Sequence, residues 1–524
     1  MFGESFGEDS LIQPPVASLD RAGTRRIASP RLHEFDAMRI TPVDLAILVF
    51  YLVGVTWFGA RFRRGQQNLR DYFLGGRTAP WWALACSIVA TETSTLTIIS
   101  TPGISYTGNL QFLQLVLGYL VARAVLCVIL VPRYFQGEFY TAYQLLEKRF
   151  GLPMKSVAAT VFLATRALAE GVRISAIGKV VSVAFGTGDR ISVGVITLLT
   201  LFYTFEGGMR AVIWTDVLQF CLYIGGSLAA FSLLLHRIPH GWIGVTQAAA
   251  AAGGKLRVFD FAFSLTQSYT FWSGLVGGTF LTMASHGTDQ TMVQRLLAAR
   301  NERDSKKALL TSGVIVLFQF ALFLLIGVML FVYYQHAAAP VPTSDPDKIF
   351  PEFIVTGMPV GLTGIVLAAI FAVAMSNASG SLNSLASSTM MDFSRRQDDS
   401  PASQPRLLRR SRGMTLLWGI VLGIFGLIHW GPVLVAGLTI ASITYGGMLG
   451  VFLLAIWNRR ATSDGAIAGM IFGIGVMIVV ERYTSLAWTW FVLAGTLATF
   501  SVGSLVSWIV PTRPEPPGRA PGES

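Results

Sequence analysis

The chain has 524 residues, 52% of them hydrophobic and 13% charged, and its mean hydropathy of +0.56 leaves too little polar surface for a string of soluble domains. A net charge of +11 would suit a nucleic-acid partner, but the basic residues lie mostly in short segments between apolar runs, where they set orientation instead. Cys86, Cys127 and Cys221 fall inside apolar runs at unrelated spacings, which excludes a disulfide framework or a CxxC metal site and reads as small core residues.

Residues 1–40 are polar, with Pro14-Pro15 and no apolar signal-peptide core, and are expected to form a disordered tail. Apolar spans follow at about 41–61, 80–103, 108–132, 153–183, 190–206, 209–236, 268–293, 307–334, 361–391, 413–430, 432–457, 465–481 and 484–510, thirteen in all, each bounded by Gly, Pro or charge. The narrowest division is His429-Trp430-Gly431-Pro432, which reads either as a turn or as a kink in one long helix. Arginines and lysines collect after spans one, three, five, seven, nine and eleven, as at Arg61-Phe62-Arg63-Arg64 and Arg459-Arg460. By the positive-inside rule those loops are cytoplasmic, the N-terminus is outside and the C-terminus inside, in a bacterial-type plasma membrane.

The second span holds the most expensive feature. In 81–103 the run Ala90-Thr91-Glu92-Thr93-Ser94-Thr95 falls where the bilayer midplane should be, and a helix of about 20 residues crosses the roughly 30 Å hydrocarbon layer. Glu92 must therefore face protein, water or an ion. Carbonyls freed by a local unwinding are the usual ligands for a small hard cation, although a merely kinked helix with Thr and Ser bonding back to their own carbonyls explains any one hydroxyl as well. Span seven carries three glycines in Phe271-Trp272-Ser273-Gly274-Leu275-Val276-Gly277-Gly278-Thr279, and a second break is expected there. The two breaks are five spans apart, an odd number, so two five-span units starting at spans two and seven run in opposite senses, an inverted repeat. In span four, Arg166–Glu170 and Glu170–Arg173 are i,i+4 and i,i+3 pairs that leave one positive charge over, either within a helix-fixing ion network or for an anionic solute.

Four stretches carry a resemblance. They are Thr204-Phe205-Glu206-Gly207-Gly208-Met209-Arg210-Ala211-Val212-Ile213-Trp214-Thr215-Asp216-Val217-Leu218-Gln219; Thr288-Asp289-Gln290 with Val293-Gln294-Arg295; Asn383-Ser384 with Met391-Asp392; and Gly450-Val451-Phe452-Leu453-Leu454 with Gly465-Ala466. Together they resemble the sodium:solute symporter family. The resemblance implies an all-α polytopic membrane protein of the leucine-transporter type, with a five-plus-five inverted repeat and alternating access. It divides the chain into a tail (1–40), a first span and loop (41–79), two five-helix repeats (80–236 and 268–457) joined by an extracytoplasmic loop (237–267), two C-terminal spans (458–510) and a Pro-rich tail (511–524).

It also implies a sodium site formed by the carbonyls of Ala90, Thr93 and Val373 with the side chains of Ser376 and Asn377. The family usually has Ser or Thr at the last position, and Asn377 still offers a carbonyl oxygen. Some members bind a second sodium through the Asp of Trp-Thr-Asp and two hydroxyls. Here Asp216 and Ser379 are present while Gly380 replaces the other hydroxyl, and the bland reading of Asp216 is a carboxylate paired with a basic residue near the membrane edge. Glu92, Arg166, Glu170 and Arg173 are the substrate candidates. No HExxH, nucleophile elbow, phosphate loop or paired His ligands among six histidines point to an enzyme. The expected function is sodium-coupled symport of a small organic solute, leaning to a carboxylate or acidic sugar, by a monomer in the lipid bilayer. A proton- or sodium-coupled carrier of neutral sugars or amino acids, and a membrane sensor of the same fold, are the alternatives.

Overall fold

The computed structural model describes residues 40–60, 74–137, 139, 141–203, 209–336, 344–393 and 404–510. The expected terminal tails lie outside these residues apart from Ile40, as does 204–208 of the first motif. Helix formation follows the apolar runs, because a backbone in hydrocarbon has to satisfy its N–H and C=O groups within the segment. The helices are α1 (Pro42–Ala60), α2 (Trp81–Glu92), α3 (Thr95–Thr107), α4 (Leu113–Ile129), α5 (Leu152–Phe185), α6 (Asp189–Tyr203), α7 (Met209–Arg237), α8 (Gly278–Gly287), α9 (Gln290–Leu297), α10 (Glu302–His336), α11 (Pro346–Gly357), α12 (Leu362–Phe393), α13 (Gln404–Gly426), α14 (Val433–Trp457), α15 (Ser463–Tyr483) and α16 (Phe491–Ile509). Short helices Tyr143–Phe150 and Gly241–Ala251 lie between them. Among the described residues, six helices are long and apolar enough to cross a bilayer by themselves, seven when the bent pair α2–α3 is taken as one span.

Several boundaries are set by identifiable side chains. Thr41 and Asp44 cap α1 reciprocally, and Thr462 accepts from Gly465 N at the start of α15. Gly431 adopts φ +66° between α13 and α14, so 429–432 is a turn between two helices and not a kink. Asp44 also accepts from Gly361 N (2.7 Å) and Gly364 N (2.8 Å), tying α1 to the first turn of α12. At the far end of α5, Lys179 meets Asp347 at 2.7 Å and Asp345 at 3.0 Å, and Asp347 accepts from Val433 N, so one buried cation joins α5, α11 and the start of α14.

The first break stands where the sequence puts it. α2 stops at Glu92, Thr93 and Ser94 are extended, and α3 leaves at a bend of 63°. The second break is displaced from its expected position. Ser273–Gly277 forms a π-helical turn that runs unbroken into α8, and the chain opens instead at Thr288–Asp289, between α8 and α9. The glycines serve packing. A Cβ on Gly274 would lie 2.7 Å from Gln114 C and one on Gly278 2.3 Å from Leu115 O, while one on Gly118 of α4 would lie 2.6 Å from Leu275 O. Backbone meets backbone along this seam, as small residues permit between membrane helices. The cysteine expectation holds for buried Cys127 but not for Cys221, which is exposed.

Candidate functional site

The two breaks open onto one cavity of ≈ 140 Å³, lined from the first by Glu92, Ser94 and Thr97, from the second by His286, Asp289 and Thr291, and from α5 by Arg166 and Arg173. Tyr445 of α14 and the rings of Phe112, Tyr119 and Phe320 close it.

At the first break the carboxylate of Glu92 is gripped by Arg123, a fully buried guanidinium on α4. Arg123 also donates to Tyr119 O (3.1 Å) and Ser312 Oγ (3.3 Å) and stands 3.3 Å from His286 Nε2, which is 3.5 Å from Glu92. Thr93, the next residue, exchanges hydrogen bonds with the Gln319 amide of α10 at 2.7 and 3.0 Å, and Tyr223 of α7 donates to the same amide oxygen. The break is thus braced by four helices through side chains that are themselves buried.

At the second break Asp289 caps α9 by accepting from Thr291 N (2.8 Å), while its other oxygen accepts from Tyr445 OH (3.0 Å). Arg166 donates to Thr291 Oγ1 (2.8 Å), on the same residue whose N–H Asp289 accepts. The expected Arg166–Glu170 pair does not form. Glu170 instead takes Arg173 at 3.1 Å and Ser381 of α12 at 2.7 Å. The surplus of positive charge expected from α5 alone is offset in the site: Asp289 lines the same cavity as Arg166, while Arg123 pairs with Glu92 and Arg173 with Glu170. Even so, Arg166 and Arg173 each keep a buried Nε–H without a hydrogen-bond partner, a pair of donors that suits an incoming acceptor.

Of the sodium candidates, Ala90, Thr93 and Val373 are buried, and Asn377 Nδ2 lies 3.5 Å from Thr93 O, so α12 does meet the first break. The side chains of Ser376 and Ser379 lie outside the described residues. Asp216 accepts on Oδ2 from Ser87 (2.6 Å) and Arg295 (3.1 Å), the carboxylate–cation pairing that its bland reading anticipates.

Arg123, His286, Gln319, Tyr223 and Tyr445 escaped the sequence reading, and Asp289 entered it only within a motif. Arg123 had a signal: it is the lone charge inside the apolar stretch 108–132, and the midplane argument applied to Glu92 applies to it equally.

The profile of the sodium:solute symporter family matches residues 72–473. The chain is 29% identical over 490 residues to the sodium/sialic acid symporter SiaT of Proteus mirabilis, covering 91% of this chain and 96% of the relative. It is 29% identical over 485 residues to the sodium/sialic acid symporter NanT of Aliivibrio fischeri, covering 90% and 94%. A solved substrate-bound, outward-open structure of a Na+-coupled sialic acid symporter superposes with a TM-score of 0.80 at 27% identity, covering 89% of this chain and 98% of that one. Two broken helices, a cavity between them and these likenesses agree on one assignment: this chain belongs to the sodium:solute symporter family and is a multi-pass, leucine-transporter-fold, sodium-coupled symporter of a small solute rather than an enzyme.

Proposed function

We propose that the solute is a small organic acid, an acidic sugar being the first to test, bound through Arg166 and Arg173 in the cavity between the two breaks. The observation that carries this is that both guanidiniums of its α5 wall, Arg166 and Arg173, keep an Nε–H without a hydrogen-bond partner. A carboxylate would satisfy them with charge-assisted bonds that a neutral oxygen cannot match. The named substrates of the two sialic acid symporters support the same reading. Glu92 takes part as the acceptor on the opposite wall, where it is held by Arg123.

Sodium enters with the solute through the ligand set of Ala90, Thr93, Val373, Ser376 and Asn377, and Asp216 with Ser379 forms a second seat. The protein works as a monomer in a bacterial-type plasma membrane, N-terminus outside and C-terminus cytoplasmic. It comprises a first span (41–79), repeats 80–236 and 268–457 flanking the loop 237–267, and C-terminal spans 458–510. The test is uptake into proteoliposomes of N-acetylneuraminate and of its neutral amide. Acid accumulation should follow an inward sodium gradient and persist when the proton gradient is collapsed. Arg166→Lys, which keeps the charge but loses the planar fork, should cut acid uptake at least about tenfold, a step of about 1.4 kcal/mol, and spare any uptake of the amide. Transport of neutral solutes alone, or equal loss for both, overturns the proposal.

A further inference from the structure

Beside the main cavity lies a gap of ≈ 10 Å³, room for one water or one small ion. Ser94 and Thr95 at the first break, Glu170 and Arg173 on α5 and Asn377 on α12 line it, with aliphatic side chains closing the rest. Two of its hydroxyls are idle. Ser94 stands at the N-cap of α3 but makes no capping bond, and Thr95 Oγ1 is buried without a partner on a residue 1% exposed. Buried hydroxyls are normally satisfied, so an orphan beside a gap of this size asks for a ligand.

Glu170, also 1% exposed, accepts both of its bonds, from Arg173 and Ser381, on Oε2, which leaves Oε1 its full acceptor capacity. Asn377 turns Nδ2 toward Thr93 O, so its Oδ1 is an acceptor too. Carboxylate, amide and hydroxyl oxygens around a one-ion gap form the donor set of a hard cation. Arg173 is the odd member. It is itself a cation, it lines the main cavity as well as this gap, and its Nε–H has no partner.

We propose that the gap is a sodium seat whose charge comes from Glu170, distinct from the carbonyl site of Ala90, Thr93 and Val373 but sharing Asn377, and that Arg173 is handed between Glu170 and the solute. Sodium on Glu170 displaces the guanidinium into the main cavity, where the carboxylate of the solute receives it; when sodium leaves, Arg173 returns to Glu170 and the solute loses a partner. The exchange deepens the reading of the solute as an acid and rests on it. Coupling of this kind is reciprocal: the factor by which sodium tightens the solute equals the factor by which the solute tightens sodium.

The experiment titrates sodium alone, at constant ionic strength with potassium, against the purified full chain in nanodiscs, read by scintillation proximity with radioactive sodium. Glu170→Gln should raise the half-saturating sodium concentration at least about tenfold, the equivalent of 1.4 kcal/mol. Arg173→Gln should lower it, because the carboxylate then has no internal competitor. Opposite signs distinguish an ion seat from an ion pair that merely holds α5 in shape, which would leave the midpoint unmoved in both variants. Since each single change strands a buried charge, the paired variant Glu170→Gln with Arg173→Gln keeps the balance; it should stay monodisperse and show the weakened sodium binding of Glu170→Gln. A wild-type midpoint in the paired variant overturns the seat and leaves the acid reading standing. A wild-type chain that carries neutral solutes alone overturns the acid reading, and the exchange with it, whatever the titration gives.

Discussion

The two breaks face one cavity and are finished in different ways. The second is closed: Asp289 caps α9 by accepting from Thr291 N, and its other oxygen accepts from Tyr445 of α14. The first is left open, with Ser94 capping nothing and Thr95 unpartnered, while Thr93 is held from outside by Gln319. Two breaks on one cavity can thus differ in chemistry, one with its acceptors spent and set beside a guanidinium, the other supplied with idle oxygens. A helix end whose polar groups are already spent is a fixed wall, and one whose groups are unspent is a place for an ion.

The largest test of this difference is Arg123→Met. It strands the Glu92 carboxylate at the open break, and removing one partner of a buried pair costs about 3–5 kcal/mol. The melting temperature should fall sharply and uptake should disappear, whereas Arg123→Met combined with Glu92→Gln should recover the fold. If the single variant melts like wild type, the open break does not depend on its brace. Asp289→Asn probes the closed break. It preserves an acceptor for Thr291 N but takes the negative charge away from Arg166, so the half-saturating concentration of an acid solute should fall several-fold while that of its neutral amide is unmoved. Equal shifts for both would make Asp289 a cap and nothing more. The smallest expected effect is that of Ser376→Ala, which removes one ligand oxygen at nearly constant volume. Sodium for half-maximal uptake should rise a few-fold with folded yield unchanged, and an unaltered sodium dependence removes Ser376 from the site.

The open break was legible in the sequence because a carboxylate among hydroxyls contradicts the apolar composition required of a span. The closed break was misplaced for a physical reason: a glycine run reads the same whether it frees a backbone or lets two backbones touch, and only the partner helix separates the cases. The Arg166–Glu170 pairing failed likewise. Helical spacing brings such residues within reach of each other, but Thr291 and Ser381 on other helices offered better geometry, and that information is tertiary. Arg123 was legible by the same test as Glu92, a charge inside an apolar span, but most arginines in this chain lie between spans, where they set orientation. The meeting of Asn377 with Thr93 came from the family resemblance; nothing in the spacing of two residues 284 apart announces it.

The glycine seam between α4 and the π-turn leading into α8 bears on how the molecule moves. Where Gly118 faces Leu275 O and Gly278 faces Leu115 O with no side chain between, there is no deformable layer to shear. Helix sliding proceeds through small adjustments of interdigitated side chains, and here those are missing. The two segments therefore form a welded joint: any stroke that carries Arg123 on α4 also carries His286 on α8, and the Glu92 brace travels as one piece instead of being pulled apart. Opening and closing must take place at other seams, and cross-linking α4 to α8 across this one should leave the transport cycle running.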